Sequence, residues 1–402
     1  MTAKDHAKLP DILWIVTTQW RAQSLGYAGD PNANTPHLDS LARRSVNYSQ
    51  AVTPHPFGPF ARAALLTGLT SPKNGVREYF DPLPHGSRTI AHELGERGYD
   101  TAFFGKWQLG VRDRQAPLVG ETHARVVIPK HARGGFHEWE GFEGGFLLND
   151  PWLHGSVEHP VPCRVSGYQS EVLADRVLAW HERRKSDASK PWFVLLSLEP
   201  PHPPYDAPAN GVQALDSGRI VLRPNVPRGG EAEIRARREL AGYHAHITAT
   251  DAAIGRLVGA LPESVIVVFT SVHGDMHGSH GLFRKGWPHE ESIRIPLLVR
   301  SAPVPPDTIS VSDEPVSLLD LFPMTLSWAE GKAWRCERSE ALISMPSVVS
   351  LPHQCDRIWR GRRSLMRKVV IAADGEDWLD FDLAADPHEL KNRSRTRGGG
   401  TV

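Results

Sequence analysis

The chain has 402 residues, 40% of them hydrophobic and 23% charged, which is typical of a globular protein with one large domain or two. Its 46 lysines and arginines are matched by 46 acidic residues, and this balance argues against chain-wide binding to nucleic acid or to an anionic membrane. No apolar run approaches the ~20 residues of a membrane span, and residues 1–16 lack the apolar core of a signal peptide. Three scattered cysteines form no CxxC pair, so the sequence predicts a cytoplasmic protein without structural disulfides.

Short apolar runs alternate with helical patterns along most of the chain. The runs are typical of strands that are buried on both faces of a parallel or mixed sheet. The predicted strands are 12–16, 101–105, 192–198, 265–270 and 295–300. The predicted helices are 35–45, 89–99, 170–185, 232–261 and 316–331. This alternation predicts an α/β fold with a large mixed, mostly parallel sheet sandwiched by helices.

Two regions depart from this alternation. Residues 111–165 are rich in Gly, Pro and His, which predicts long loops over one edge of the sheet. From about residue 350 the pattern alternates as antiparallel strands do, with a turn at Asp374–Gly375, and this predicts a small C-terminal α+β subdomain. The predicted domains are therefore residues 1–345 and 346–402, and we expect the glycine-rich tail of the second to be disordered.

A series of motifs follows in a fixed order. They include PDILWIVTTQWRAQSLGYAG, TPHPFGPFARAALLTG, GYDTAFFGKWQLG, SLEPPHPPYDAP, VVFTSVHGDMHGSHGLFRKG, IRIPLLVR and FDLAADPHELKN. In content and order these segments resemble the sulfatases of the alkaline phosphatase superfamily, in the style of bacterial arylsulfatases and choline sulfatases. The likeness runs nearly end to end, and it implies the sheet-and-helix fold of that superfamily.

The resemblance also implies a particular nucleophile. A typical sulfatase carries a Cys-x-Pro-x-Arg segment at the start of a helix, and its cysteine is converted to a formylglycine that attacks sulfur. Counting back from Arg62 places Gly58 at the nucleophile position and Phe60 at the position of the proline. Glycine has no side chain to oxidise or to attack with, so we expect no formylglycine.

The metal positions of the family are altered as well. In a typical sulfatase, aspartates after the first strand and after a later strand bind a divalent cation, usually calcium, which needs oxygen ligands. Here Thr18 and Val272 stand at two of these positions, while His273 keeps the position that follows. Gln108 replaces a histidine of the family's active site. We therefore expect no calcium.

Four positions match the family's residues that bind the sulfate and protonate the leaving group: Arg62, Lys106, His202 and Lys285. Without the carboxylates, the cations would meet with little to neutralise them, and two cations ~4–6 Å apart repel by roughly 3–4 kcal/mol at an effective dielectric of ~20. An anion between them would relieve this repulsion, and the helix that begins near Gly58 would add free N–H groups. We therefore predict a metal-free basic pocket for a sulfate, phosphate, sulfonate or carboxylate group of a small molecule. The further predicted ligand-binding residues are Thr18, Gly58, Gln108 and His273.

The sequence is also compatible with a transition-metal site and with a substitute nucleophile. His273, His277 and His280 have the imidazoles that a transition metal prefers, although two glycines interrupt the run. Thr17 or Thr18 could replace the missing nucleophile, but a hydroxyl without an adjacent base or metal is a weak one.

Three functions fit these residues. The first is a sulfatase-fold pseudoenzyme that binds or regulates, and the second is an enzyme rebuilt for metal-free acid–base chemistry on Lys106, His202, His273 and Lys285. The third is a hydrolase of sulfuric or phosphoric esters that uses an unusual nucleophile. A homo-oligomer fits each of them, and the sequence identifies no substrate.

Overall fold

The computed structural model describes residues 9–184, 189–301 and 310–394. The tail for which we predicted disorder, residues 395–402, lies outside the described residues. In the described ranges the chain forms an eight-stranded sheet with helices against it, a four-stranded antiparallel sheet and a two-stranded ribbon. The predicted fold class is confirmed.

The strands of the described residues are numbered in chain order. They are β1 (Ile12–Thr17), β2 (Val46–Tyr48), β3 (Asp100–Lys106), β4 (Glu138–Phe142), β5 (Trp152–Leu153), β6 (Cys163–Arg164), β7 (Trp192–Ser197), β8 (Ile266–Ser271), β9 (Leu297–Arg300), β10 (Ser310–Ser312), β11 (Glu340–Met345), β12 (Trp359–Ser364), β13 (Arg367–Ala372) and β14 (Asp377–Asp382). The large sheet has the order β10-β2-β9-β8-β1-β7-β3-β4. Strands β8, β1, β7, β3 and β4 run parallel to one another, and β9 is antiparallel to both of its neighbours.

The five predicted strands correspond to β1, β3, β7, β8 and β9. The prediction of loops alone for residues 111–165 is wrong, because this region also supplies β4, which pairs in parallel with β3 and forms one edge of the large sheet. The segment Glu138–Phe142 reads EWEGF, and two glutamates hid its strand character. In the fold the buried Glu140 accepts a hydrogen bond from Arg176 at 2.9 Å, and Glu138 lies 3.9 Å from Arg183.

The α-helices of the described residues are also numbered in chain order. They are α1 (Pro36–Ala42), α2 (Gly58–Thr67), α3 (Ile90–Glu96), α4 (Glu121–Ala124), α5 (Gln169–Arg184), α6 (Glu231–Ala260), α7 (Glu290–Ile293) and α8 (Leu321–Ala329). The predicted helices coincide with α1, α3, α5, α6 and α8. In the described part of the chain, no helix is both long enough and apolar enough to cross a membrane.

The side chains of β1 show why the sheet is apolar throughout. Successive side chains of a strand point to opposite faces. Ile12, Trp14 and Val16 join one apolar core, whereas Leu13 and Ile15 join the other. Helices α2, α3 and α8 cover the first face, and α1, α5 and α6 cover the second. Both faces are therefore buried, which is why the strand sequences are continuously apolar rather than alternating.

The small sheet has the order β11-β12-β13-β14, with the predicted turn at Asp374–Gly375 between its last two strands. Its first strand begins at Glu340, before the domain limit at residue 346 that the sequence suggested. The side chains of Ile343, Trp359 and Phe381 belong to the same apolar core as the helices on one face of the large sheet.

Candidate functional site

The predicted site residues lie where four parallel strands end. Thr18 follows β1, Lys106 ends β3, His202 follows β7 and His273 follows β8. The carboxyl ends of parallel strands meet at one edge of a sheet, which is the usual place for a ligand in an α/β fold. Helix α2 begins at the same edge, and we find that the structure brings these residues together around one cavity.

This cavity has a volume of about 430 Å³. Of the predicted residues, those that line it are Thr18, Gly58, Lys106, Gln108, His202, His273 and Lys285. Arg62 lies behind them and is not part of the wall. The remaining wall is largely apolar and aromatic, with Phe57, Tyr79 and Phe146 among its residues. The ring of Phe146 stacks on His202, with 4.3 Å between the ring centroids.

Arg62 is buried and holds the strand ends together. Its guanidinium donates to Thr18 Oγ1 at 2.9 Å, to the Lys106 carbonyl oxygen at 3.1 Å and to Ser197 Oγ at 2.6 Å. A longer bond of 3.4 Å reaches Gln108 Oε1. Burial lowers the pKa of Arg62 to about 10, which still leaves the group charged at neutral pH. Arg62 therefore positions other residues of the site, and the prediction that it contacts a ligand directly is not supported by this geometry.

Lys106 is neutralised by a carboxylate that sequence reasoning missed. Its Nζ lies 2.5 Å from Glu199 Oε1, and both side chains are buried. Gln169 fixes the other oxygen, donating from Nε2 to Glu199 Oε2 at 3.2 Å. Burial lowers the pKa of Lys106, and the attraction of Glu199 opposes that change. The expectation that the basic residues meet with little to neutralise them is thus wrong for Lys106. A signal was present, because an acidic residue that closely follows a buried strand lies at the ligand edge of the sheet.

Lys285 is the basic residue whose charge is least compensated within the described site. Its Nζ donates to Gln19 Oε1 and lies 3.1 Å from His202 Nε2. The pKa of Lys285 is lowered to about 7, chiefly by burial, while the attraction of Asp275 opposes this change and Lys106 and Arg284 add to it. The pKa of His202 is held well below its ordinary value, first by burial and then by Lys285. Lysine and histidine are therefore adjacent at the cavity wall, and burial favours the neutral form of both.

Behind Lys285 lies Asp275, the one carboxylate of the loop that follows β8. It is fully buried and accepts hydrogen bonds from Tyr205 Oη at 2.8 Å, from the backbone N–H of His277 at 3.1 Å and from that of Arg284 at 3.0 Å. Gln19 Nε2 also donates to it. Burial raises the pKa of Asp275, but the attraction of His277 and Arg284 together with these hydrogen bonds holds it well below its usual range. Gln19 thus links the Lys285 ammonium to a carboxylate that is already saturated with donors.

Gly58 is the first residue of α2, and the space next to it is occupied. A Cβ atom built on Gly58 would lie 2.4 Å from Gln108 Oε1, so the Gln108 amide fills the place of a side chain at position 58. Gln108 itself adopts a φ of 56°, which is rare for a residue other than glycine. Thr18 is also engaged, because its hydroxyl donates to the Leu198 carbonyl at 3.0 Å. Its oxygen accepts from Arg62, so no base is positioned to activate Thr18 within the described site.

The histidines after β8 do not converge. His273 Nδ1 bonds to the Gly274 carbonyl at 2.9 Å, whereas His277 packs against Tyr243 with ring centroids 4.2 Å apart. His280 lies at a different cluster, with Glu291 and Glu389, which is the one group of three potential ligands within 4.8 Å of one another among the described residues. The alternative of a metal site on the three histidines is therefore not supported. Val272 is buried in the apolar core.

The large mixed sheet between helices, with a cavity at the carboxyl ends of its parallel strands, defines an α/β protein with its candidate site at the strand ends. The chain belongs to the sulfatase family, whose model, Sulfatase, matches residues 10–332.

Several known proteins are similar to the chain. An ulvan-active sulfatase of Formosa agariphila is 34% identical over 331 residues, which cover 80% of this chain and 62% of that protein. An arylsulfatase of Clostridium perfringens is 27% identical, with 95% of this chain and 90% of that protein covered. The structure of the yidJ protein of Bacteroides fragilis superposes with a TM-score of 0.82 at 24% identity, covering 98% of this chain and 93% of that one, and it shows the shared fold. The chain thus spans less than two thirds of the ulvan-active sulfatase.

Proposed function

We propose that this sulfatase-family chain does not hydrolyse sulfate esters by the chemistry of its relatives, and that it binds an anionic group of a small molecule in a metal-free basic pocket. The observation that carries the proposal is the occupied space at Gly58. A formylglycine needs a side chain at this position, and the Gln108 amide stands in its place. The chain has lost the attacking atom and has filled the space that it would need.

The described residues at the family's metal positions do not fit a divalent cation. Hard cations take six to eight oxygen ligands, chiefly carboxylates. Here Val272 offers none and the Thr18 oxygen accepts from Arg62. The side-chain oxygen Oε1 of Gln19, which follows Thr18, accepts from the Lys285 ammonium. An ammonium at this place would repel a +2 ion. We therefore propose a site that works without calcium.

The remaining groups favour an anion at the cavity wall beside Lys285. An anion would hold the Lys285 ammonium in its charged form and would accept from it in a charge-assisted hydrogen bond. The aromatic wall formed by Phe57, Tyr79 and Phe146 suits an apolar part of the same ligand.

A second function rests on a separate observation. Lys285, with a pKa of about 7, lies 3.1 Å from His202, and a base poised near neutral pH is what general acid–base catalysis requires. We propose a metal-free enzyme of this kind as the alternative. The three cysteines are free in the structure, which supports a reducing, cytoplasmic location for either function.

The test combines turnover with binding. We expect no hydrolysis of p-nitrophenyl sulfate or p-nitrophenyl phosphate, with or without added calcium, and stoichiometric binding of sulfate by calorimetry in the absence of metal. Lys285→Met should weaken sulfate binding by about tenfold or more, since a charge-assisted bond is worth roughly 1.5–3 kcal/mol. Lys332→Met, at an exposed lysine, is the matched control and should change nothing. Calcium-dependent hydrolysis would refute the proposal, and so would sulfate binding that Lys285→Met leaves intact.

A further inference from the structure

A second cavity of about 350 Å³ lies on the other side of the loop that follows β1. It shares no lining residue with the cavity described above. Its charged and amide-bearing walls include Arg21, Gln23, Asp30, Arg223, Arg294 and His388. We call it the second cavity, and its polar groups do not serve the candidate site.

Two arginines of this wall are not neutralised locally. The Arg294 side chain makes no hydrogen bond or ion pair with any described residue, and its Nε is buried. Arg21 donates from Nε to Ser24 Oγ at 2.8 Å, while its two terminal nitrogens have no described partner. A guanidinium presents five N–H donors, so most of the donors of these two groups are unused. Of these donors Arg294 Nε is buried, and a buried donor without an acceptor is rare in folded proteins because it costs about 1–3 kcal/mol.

Gln23 adds a third unsatisfied group. Both polar atoms of its amide are buried, and neither has a hydrogen-bond partner among the described residues. The amide can donate to an oxygen as the two guanidinium groups can. Each of these three groups therefore has at least one donor atom without an acceptor in the described part of the chain.

The acidic groups nearby are only partly paired. Asp30, in the cavity wall, accepts from Asn32 at 2.9 Å and faces His244 at 3.6 Å. The buried Glu291 pairs through Oε1 with Arg223 at 2.9 Å, and its Oε2 has no hydrogen-bond partner among the described residues. Arg294 has Glu290 in its surroundings, but that carboxylate lies 2.9 Å from Arg363. Of the charged residues that line the second cavity, three are arginines and one is an aspartate, so its wall carries more positive than negative charge.

We propose that the second cavity binds a phosphate or sulfate group between Arg21, Arg294 and Gln23. Guanidinium groups match the oxygens of such an anion in paired hydrogen bonds. Inorganic phosphate and a phosphate monoester share this chemistry. The cavity has room for more than the bare ion, so both are probes of the same site. The inference is independent of the proposed function, because the two cavities use different residues.

The experiment counts bound phosphate by calorimetry on the full chain. We expect two sites per wild-type chain, one of which is lost in Lys285→Met. Gln23→Glu places a carboxylate next to Arg21 and Arg294, so it should abolish the other site and raise Tm in the absence of phosphate. Gln115→Glu adds the same charge at an exposed position and should leave both sites intact. Glycerol 1-phosphate serves as the monoester probe, and tighter binding than inorganic phosphate at this site would identify an esterified ligand.

Either of two results would overturn the inference. The first is a Gln23→Glu chain that binds as much phosphate as the wild type and has the same Tm. The second is a wild-type chain with one phosphate site that Lys285→Met removes. If Gln23→Glu loses a site while Lys285→Met loses none, the second cavity stands and the proposed function fails. Selenate soaked into crystals gives a direct check, with anomalous density expected between Arg21 and Arg294.

Discussion

Replacing Lys285 with methionine tests the electrostatics of the candidate site through the pH dependence of stability. Lys285 has a pKa of about 7 in the folded protein against an ordinary value of 10.5. Between these two values the unfolded chain binds a proton that the native protein does not, so the free energy of unfolding rises with pH. Below pH 7 the lysine is protonated in both the folded and the unfolded state, and the folded protein carries the full destabilisation of the buried charge.

The magnitude follows from the gap between the two pKa values. Each pKa unit corresponds to about 1.4 kcal/mol, so burial of Lys285 costs roughly 4 kcal/mol at pH 7 and roughly 2 kcal/mol at pH 9. Between pH 7 and pH 9 the free energy of unfolding of wild type should therefore rise by about 2 kcal/mol more than that of Lys285→Met. The difference in slope is the readout, because the variant also leaves Gln19 Oε1 without its lysine donor, and this offset is the same at both pH values.

The assay is urea unfolding followed by tryptophan fluorescence at pH 7, 8 and 9, with Lys332→Met as the control. Saturating sulfate should reduce the slope difference, because a bound anion keeps Lys285 protonated through this range. Parallel stability curves for wild type and Lys285→Met without sulfate would refute the reasoning, since they would mean that the lysine keeps its ordinary pKa in the folded protein.

Three further changes test other parts of the structure by urea unfolding. Gly58→Ala should lower the free energy of unfolding by about 1–3 kcal/mol because its Cβ would lie 2.4 Å from Gln108 Oε1. Adding Gln108→Ala should recover part of this loss, whereas additive effects of the two changes would contradict the overlap. Glu199→Gln should lower the free energy of unfolding by about 3–5 kcal/mol because it leaves Lys106 unpaired. Sulfate should stabilise this variant more than it stabilises wild type, and equal stabilisation of the two would count against this reasoning. Glu290→Gln should speed hydrogen exchange in β12 and β13, whose basic side chains it holds, and unchanged exchange there would exclude this role.

The fold was largely readable from the sequence because its strands are buried on both faces. A strand such as β1 must be apolar at every position when helices cover the whole sheet, and this leaves a strong local signal. Strand β4 was missed because its two glutamates broke the apolar run. What satisfies Glu140 is Arg176 on helix α5, a contact between residues that are distant in the chain. Local pattern carries no information about such a partner.

At the candidate site, too, some features followed from the sequence and others only from the tertiary structure. The identities of Gly58, Arg62 and Lys285 and their places at strand and helix ends followed from the sequence and its resemblance to a family. Whether each basic side chain has an acidic partner depended on the tertiary structure, which pairs Lys106 with Glu199. Charge compensation requires two side chains to meet across neighbouring strands, and it is decided by the order of strands in the sheet. The sequence thus determined which groups are present at the site, and the packing of β3 against β7 decided which of them retain an uncompensated charge.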